Sequence, residues 1–342
     1  MGGYMIKIEN FDSVDDSGVT YGGHSGSKKG IIIDGERWFL KYPKSTKSMQ
    51  VVGMSYTTAP ISEYIGSHIY SLLGFETHDT KLGIRDGKIV VACKDFLNKN
   101  ETILDYNSIK NDYNETIEKE LEKLPSSTNN HLEEDLEEII IVMKNNTYFE
   151  KVSELKDRFW DMFIVDAFIN NNDRNANNWG LILNYDTMKL RISPVYDNGA
   201  AFYSKSSDEK IESILQDNFK MRQVIYDSCV SSFARNGKVI NPLKFIEKMD
   251  NEECNKALLR VFPKIDMDCI KEIFDNIPLK YNDLSVLSYE QRELYYKSLE
   301  YKYEKVLEPV YSQLKEKYIV NDRELGKDID SYNDYNHDDF ER

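Results

Sequence analysis

The chain has 342 residues, of which 40% are hydrophobic, so it is long enough for two lobes and apolar enough for a sizeable core. Its 59 acidic residues outnumber 44 basic ones, and the net charge of −15 argues against a general nucleic-acid binder or a protein that adsorbs to anionic membranes. The cysteines Cys93, Cys229, Cys254 and Cys269 lack metal-ligand spacing, which favours reduced thiols. No signal peptide or membrane-spanning stretch is recognisable, so a cytoplasmic protein is expected, with delivery outside the producing cell left open.

The first hundred residues predict strands around one helix. Met5 to Ile8 is expected to form a first strand. Asp34-Gly35 and Asp86-Gly87 are typical of type I′ turns and predict two hairpins. Between the hairpins, Ala59-Pro60 opens a helix that should end before Gly74.

This region also contains candidate phosphate-binding residues. The loop from Gly22 to Lys28 is rich in glycine, which lets backbone N–H groups approach an anion, and Lys28 adds charge. Lys41 lies on the following hairpin and suits the same role, although a solvated edge lysine is an equal alternative. Glu63, in the first turn of the helix, is expected either to pair with this lysine or to serve the helix terminus alone.

Residues 98 to about 150 are charged and rich in asparagine. Their low hydrophobicity predicts a solvated insertion that adds nothing to a core, with a break between helical pieces at Pro125 to Thr128.

The stretch from Phe159 to Phe202 contains the residues that suggest chemistry. An apolar helix ends in asparagines around Asp173, and two predicted strands then lead to Asp197. The spacing from Asp173 to Asn178 places a carboxylate to receive a hydroxyl proton and an amide oxygen to hold a metal, and Asp197 can supply a charged ligand. These hard oxygen atoms suit Mg²⁺. The alternative is a polar loop that merely caps two elements.

The remainder is expected to be almost wholly helical from residue 206 to residue 325, with examples at Asn241 to Lys264 and Tyr289 to Tyr318. The acidic stretch from Lys327 to Arg342 has no apolar period and predicts a disordered tail.

Over roughly residues 20 to 280, the chain resembles the HipA-like serine/threonine kinases. The matching blocks are Tyr21-Gly22-Gly23 with Gly26 and Lys28, Val90 to Phe96, Phe159 to Phe163, Asp173-Arg174 with Asn178-Trp179-Gly180, Pro194 to Asp197, and Ala257 to Arg260. Two departures are visible. The start of the chain lies close to its kinase lobe, so we expect it to lack the additional N-terminal domain of HipA, which contacts an antitoxin. Asn175 stands where many relatives carry histidine.

The resemblance implies an α+β, two-lobed protein-kinase-like fold, with a small β-rich N-lobe containing one helix and a larger, mostly helical C-lobe. The expected lobes are residues 1–97 and 98–326, with the catalytic core at 155–202 and a tail at 327–342. The expected activity is ATP- and Mg²⁺-dependent phosphorylation of serine or threonine in an unidentified protein substrate, together with autophosphorylation. A phosphoinositide-like lipid kinase and a non-catalytic nucleotide-binding pseudokinase are the alternatives. Direct contact with nucleic acid or membrane is not expected, and an antitoxin or other regulatory partner stays open.

The resemblance also implies roles for individual residues. Asp173 would be the catalytic base, Asn178 and Asp197 the metal ligands, and Ser25 or Ser27 the autophosphorylated residue. The implied nucleotide-binding set is Gly22, Gly23, His24, Ser25, Gly26, Ser27, Lys28, Lys41, Glu63, Lys94, Asp95, Phe96, Asn175, Asn178, Tyr196 and Asp197.

Overall fold

The computed structural model describes residues 5–19, 28–49, 53–112, 114–124 and 134–324. The glycine loop up to Ser27, the break predicted at Pro125 to Thr128 and the tail at 327–342 lie outside these ranges. The predicted lobe boundaries stay predictions.

The N-terminal part is built on a five-stranded sheet with the order β1-β4-β5-β3-β2. Its strands are β1 (Glu9–Asn10), β2 (Lys28–Ile33), β3 (Glu36–Lys41), β4 (Thr80–Arg85) and β5 (Lys88–Lys94). Both predicted hairpins form. Asp34 and Gly35 have φ values of 51° and 80°, and Asp86 and Gly87 have values of 52° and 66°, the left-handed pair that a type I′ turn requires.

The first strand is not where the sequence suggested. β1 pairs in parallel with β4 at Glu9 and Asn10, and Met5 to Ile8 run outside the sheet. The reason is that the backbone N–H of Ile6 donates to the carbonyl of Asn276, at 2.8 Å, and not to a strand.

Helix α1 (Ala59–Leu72) covers one face of this sheet, with Pro60 in its first turn as predicted. Ile61, Ile65 and Ile69 are buried, whereas Leu72 is 37% exposed and Leu73 replaces it in the core. The apolar stripe thus follows the helical period until the last turn.

The described part of residues 98–151 is not a solvated insertion. It forms β6 (Glu101–Asp105), α2 (Tyr106–Lys110), α3 (Glu115–Leu121), β7 (Glu134–Asp135), α4 (Leu136–Asn145) and α5 (Thr147–Lys151). The Tyr106 ring stacks on Trp179 with centroids 4.4 Å apart, and Phe149 is buried beside them. The expectation was wrong because a segment with few apolar residues can still place most of them on one side, where they pack against a core.

The centre of the C-terminal part is α6 (Glu154–Ile169), which is followed by the antiparallel strands β8 (Gly180–Asn184) and β9 (Lys189–Ile192). β6 joins them in a three-stranded sheet with the order β6-β8-β9. Between α6 and β8 lies the loop that contains Asp173 and Asn178, and Asp197 follows β9. The two loops are therefore joined by one hairpin.

The remaining elements are mainly helical, as predicted. They are α7 (Asp208–Leu215), α8 (Asn218–Arg222), β10 (Phe233–Arg235), β11 (Lys238–Val239), α9 (Pro242–Lys248), α10 (Glu252–Val261), α11 (Met267–Asp275), β12 (Lys280–Tyr281), β13 (Leu284–Ser285), α12 (Tyr289–Lys302) and α13 (Glu308–Glu324). The helical stretch expected over Asn241 to Lys264 is divided between α9 and α10, because Met249 takes a left-handed φ of 52° and Asn251 caps α10. In the part of the chain that the structure describes, we find no helix with the length and apolar character needed to cross a bilayer.

Candidate active site

Lys41, at the end of β3, contacts two carboxylates. Its Nζ lies 2.7 Å from Glu63 Oε2 on α1 and 2.9 Å from Asp197 Oδ1 after β9. Burial by itself lowers the pKa of Lys41, but the charges of Asp197 and Glu63 outweigh it, so the pKa is raised and the ammonium stays charged. The sequence left open whether Glu63 pairs with this lysine, and in the structure it does.

α1 carries Glu63 into this position by packing closely on the residues after Asp197. A Cβ atom added to Gly66 would lie 2.8 Å from Asn198 Cβ, so only glycine allows this approach. Glu63 is fully buried. Burial raises the pKa of a carboxyl group, but Lys41 and a hydrogen bond from His78 more than compensate, and the pKa of Glu63 is lowered.

Asp197 has a left-handed backbone with a φ of 62°, a conformation that is uncommon outside glycine but that aspartate and asparagine adopt more readily than other residues. Its side chain is 34% exposed. The charge of Lys41 is the main reason that the pKa of Asp197 is lowered, and Lys28 contributes to the same shift. Lys28 is the cross-strand partner of Lys41 in the β2–β3 hairpin, so the two cations share one face of the sheet and both act on this carboxylate.

Asp173 is an exposed residue in the loop between α6 and β8, where its neighbour Arg174 is buried. Its Oδ1 accepts a hydrogen bond from Asn175 Nδ2 at 3.0 Å, and its backbone carbonyl accepts one from Asn178 Nδ2 at 2.6 Å. The amide of Asn178 is therefore oriented, with its Nδ2 used inside the loop and its Oδ1 left for another ligand. The exposed carboxylate of Asp173 suits a group that must meet an incoming substrate.

The buried side chain of Arg174 connects α6, the loop that contains Asp173 and the segment around Asp197 by hydrogen bonds. Its Nε and Nη2 donate to Asp166 on α6, at 2.8 and 3.1 Å, and Nη2 also donates to Asn198 Oδ1 at 2.6 Å. Nη1 donates to the carbonyls of Asn178 and Tyr196. One buried guanidinium thus binds the backbone beside both predicted metal ligands.

The residues predicted to lie at the hinge are divided between two places. Phe96 packs near Tyr196, with ring centroids 5.6 Å apart, and the Tyr196 hydroxyl donates to the carbonyl of Asn177. Asp95 accepts a hydrogen bond from the backbone N–H of Leu97 and is 3.3 Å from Arg37. Lys94 is turned the other way, where its Nζ is 2.8 Å from Glu36.

The oxygen atoms that could hold a divalent cation are the Asp197 carboxylate and Asn178 Oδ1. They are hard donors, one charged and one neutral, and this chemistry fits Mg²⁺. The Asp197 side chain is 34% exposed, whereas Asn178 is 7% exposed. Glu63, His78 and Cys93 also have donor atoms within 4.8 Å of one another. Lys41 already occupies one oxygen of Glu63, which makes this buried group a poor cation site.

Several supporting residues were missed by the sequence analysis. His78 has no distinctive sequence context, and Asn198 is one more asparagine beside a turn. Asp166 did offer a signal in the sequence, because a carboxylate inside the apolar run of α6 is expected to be buried and to need a partner. In the structure it is 6% exposed. That partner, Arg174, was noted only as part of a motif.

Comparisons with known proteins identify the family to which the chain belongs. No protein-family profile matches it. The serine/threonine-protein kinase CtkA of Helicobacter pylori strain J99 is 30% identical over 322 residues, which is 92% of this chain and 93% of that protein. The crystal structure of the H. pylori proinflammatory kinase CtkA superposes with a TM-score of 0.78 at 28% identity, covering 91% of this chain and 99% of that one.

A Shewanella oneidensis complex of HipA, HipB and operator DNA aligns with a TM-score of 0.48 at 11% identity, over 87% of this chain and 70% of that one, too weak a similarity to support an argument. The match to CtkA confirms the predicted kinase-like α+β fold and the predicted membership of the serine/threonine kinases. The chain belongs to the CtkA family of serine/threonine protein kinases.

Proposed function

We propose that this kinase transfers the γ-phosphoryl group of ATP, with Mg²⁺, to a serine or threonine hydroxyl of a protein, and that it also phosphorylates itself. The observation that carries the proposal is the contact of Lys41 with both Glu63 and Asp197, at 2.7 and 2.9 Å. A lysine held between a helix carboxylate and a metal-binding aspartate is the arrangement in which protein kinases bind ATP phosphates. We propose the two lobes that the sequence predicts, residues 1–97 and 98–326.

Asp173 accepts the proton of the substrate hydroxyl. Its exposure and its hydrogen bond from Asn175 support this role, because a base must face the substrate and be held in one orientation. Lys41 and Lys28 bind phosphate oxygens from the shared face of the β2–β3 hairpin. We propose a nucleotide-binding role also for the loop from Gly22 to Ser27, which lies outside the described residues.

Asn178 and Asp197 would hold Mg²⁺, which would supply positive charge beside the phosphates when bound. The Arg174 hydrogen bonds to the Asn178 and Tyr196 carbonyls support this pairing, since they fix the backbone at both ligands. Phe96 and Tyr196 form the apolar wall for the adenine, whose edge meets backbone groups of residues 94–96.

The test is incubation of the full chain with labelled ATP, Mg²⁺ and dephosphorylated casein. Asp173→Ala should lower label transfer by about 10²-fold or more while the protein stays folded, because an exposed loop carboxylate has little packing to lose. Asp186→Ala, at the exposed β8–β9 turn, is the matched control and should behave as wild type. Full activity in Asp173→Ala would refute the assignment of the base, and an inactive wild type that still binds Mg²⁺-ATP would indicate a pseudokinase.

Autophosphorylation is proposed at Ser25, with Ser27 as the second candidate. A phosphoserine adds about −1.5 to −2 charges and would compete with ATP phosphates for the loop N–H groups and Lys28, so the modified enzyme should be less active. Tandem mass spectrometry after incubation with Mg²⁺-ATP locates the modified serine. An active enzyme in which neither serine carries phosphate would contradict the proposal.

A further inference from the structure

The two carboxylate oxygens of Glu63 have different partners. Oε2 accepts from Lys41 Nζ at 2.7 Å, and Oε1 lies 3.0 Å from His78 Nε2. The side chains of Glu63 and His78 are both fully buried. Because a carboxylate can only accept, Nε2 is the protonated nitrogen of this ring and His78 is the donor.

The hydrogen bond from His78 helps to stabilise the negative charge of buried Glu63. Lys41 supplies one positive charge to two carboxylates, Glu63 and Asp197, so Glu63 is not fully neutralised by it. A buried carboxylate needs donors for its remaining lone pairs, and His78 supplies one of them. Without it, Glu63 Oε1 would lose this donor, and less would hold the carboxylate in its orientation against Lys41.

His78 also links Glu63 to the segment after Asp197. Its Nε2 lies 3.3 Å from Ser67 Oγ, and Ser67 Oγ accepts from Asn198 Nδ2 at 3.1 Å. Glu63 and Ser67 are four residues apart and share one face of α1. The His78 ring therefore contacts Glu63, which binds Lys41, and Ser67, which binds Asn198.

We propose that His78 is a positioning residue that holds Glu63 against Lys41 and so prepares Lys41 for the nucleotide phosphates. The inference rests on the proposed phosphate-binding role of Lys41. The His78 ring acts through Glu63 and touches no reacting atom. Its removal should weaken Mg²⁺-ATP binding, and a side chain that restores the donor should restore the binding.

His78 also borders a cavity of about 420 Å³, which includes Ser71, His68 and Lys94 in its wall. His68 serves as the matched control, because it lies on the same cavity but its Nδ1 contacts the backbone carbonyl of Tyr64 at 2.8 Å and not Glu63. A comparison of the two histidines separates the hydrogen bond to Glu63 from packing around the cavity.

The experiment measures Kd for Mg²⁺-ATP by calorimetry, kcat with casein and thermal unfolding, all on the full chain. His78→Leu keeps the bulk but removes the donor, and its Kd should rise about tenfold or more, the size of one hydrogen bond to a charged group. His78→Gln places an amide N–H near the position of Nε2 and should return Kd to within about threefold of wild type. His68→Leu should leave Kd unchanged.

Other outcomes overturn the inference. A wild-type Kd in His78→Leu, equal losses in His78→Leu and His78→Gln, or a comparable loss in His68→Leu would each show that packing alone explains the residue. Should His78→Leu fail to fold, His78→Gln and His78→Asn decide, since the shorter amide cannot reach Glu63 and equal binding by both contradicts a positioning role. Lys41→Met separates the two proposals. If it binds Mg²⁺-ATP as wild type, the proposed function fails, and if it loses binding while His78→Leu does not, only the present inference fails.

Discussion

The Arg174 guanidinium and the Asp166 carboxylate form a two-point ion pair inside the protein, with N–O distances of 2.8 and 3.1 Å. Arg174 is 2% exposed and Asp166 is 6% exposed. Burial alone lowers the pKa of Arg174, but Asp166 outweighs it and the pKa is raised. The pair fixes α6 to the loop that carries Asp173, and its remaining donors hold the backbone beside Asn178 and Asp197.

Arg174→Met should therefore destabilise the protein by about 3–5 kcal/mol, because the buried Asp166 carboxylate loses its cation and keeps only the neutral donors Tyr70 and Asn171. Adding Asp166→Leu should recover much of this loss, yet activity should stay low, since the hydrogen bonds to the Asn178 and Tyr196 carbonyls are still missing. Urea unfolding and label transfer from ATP measure the two effects. Recovery of activity together with stability in the double variant would show that Arg174 serves only the fold.

The local pattern of the sequence predicted the elements whose signals are short-range. The Asp-Gly turns, the start of α1 at Pro60, and the strands on either side of the Asn184–Lys189 turn depend on neighbouring residues and formed as expected. The contact of Lys41 with Glu63 joins residues 22 apart and had to be left open. His78 was missed because its partner depends on how α1 packs on the sheet, which no local pattern reports.

The removal of charge from Asp197 gives the second prediction. Asp197→Asn should weaken Mg²⁺-ATP binding by about tenfold or more, because a charged ligand becomes a neutral one. Asn178→Ala should act in the same direction but less, since it removes a neutral oxygen. Calorimetry at several Mg²⁺ concentrations measures both, with Asp186→Asn at the β8–β9 turn as the control. An unchanged affinity in Asp197→Asn would contradict both metal roles.

The close approach of α1 to Asn198 gives the third prediction. In Gly66→Ala, the new methyl group would meet Asn198 Cβ at 2.8 Å and must push the helix away, which carries Glu63 off Lys41. Overpacking costs about 1–3 kcal/mol, against a gain of up to about 1 kcal/mol in helix propensity. We expect weaker Mg²⁺-ATP binding with a modest drop in thermal stability. Ser71→Ala, exposed on the same helix, should leave binding unchanged, and wild-type affinity in Gly66→Ala would show that the helix can yield without moving Glu63.

Lys302, near the end of α12, is fully buried, and its Nζ donates to the carbonyl of Phe168 at 3.1 Å. Across the described ranges, no carboxylate lies within ion-pair distance of this ammonium group. Burial lowers the pKa of Lys302 to about 8, from an ordinary value of 10.5. The site is tolerable for a cation because Phe168 is in the last turn of α6, where the helix dipole is negative.

This lowered pKa gives the fourth prediction, which concerns stability. The folded protein releases the Lys302 proton at lower pH than the unfolded chain, so between pH 8 and 10.5 the unfolded state binds more protons and the contribution of Lys302 to the free energy of unfolding rises with pH. Below pH 8 the full cost of the buried charge is present. Lys302→Met, which keeps the length and loses the charge, should therefore be more stable than wild type at pH 7.

The free energy of unfolding should rise by about 1–3 kcal/mol in Lys302→Met, which is the free energy equivalent to the pKa shift minus that of the lost hydrogen bond. This gain should shrink as the pH rises from 8 to 10.5. Urea unfolding of both proteins across this range gives the difference, in which the cysteines and tyrosines common to both largely cancel. Lys297→Met, on the exposed side of α12, is the control and should show no such trend. The prediction is wrong if Lys302→Met is less stable than wild type at pH 7, or if the difference in stability does not change with pH. Either result would mean that the hydrogen bond to Phe168 stabilises the protein by more than burial of the ammonium group destabilises it.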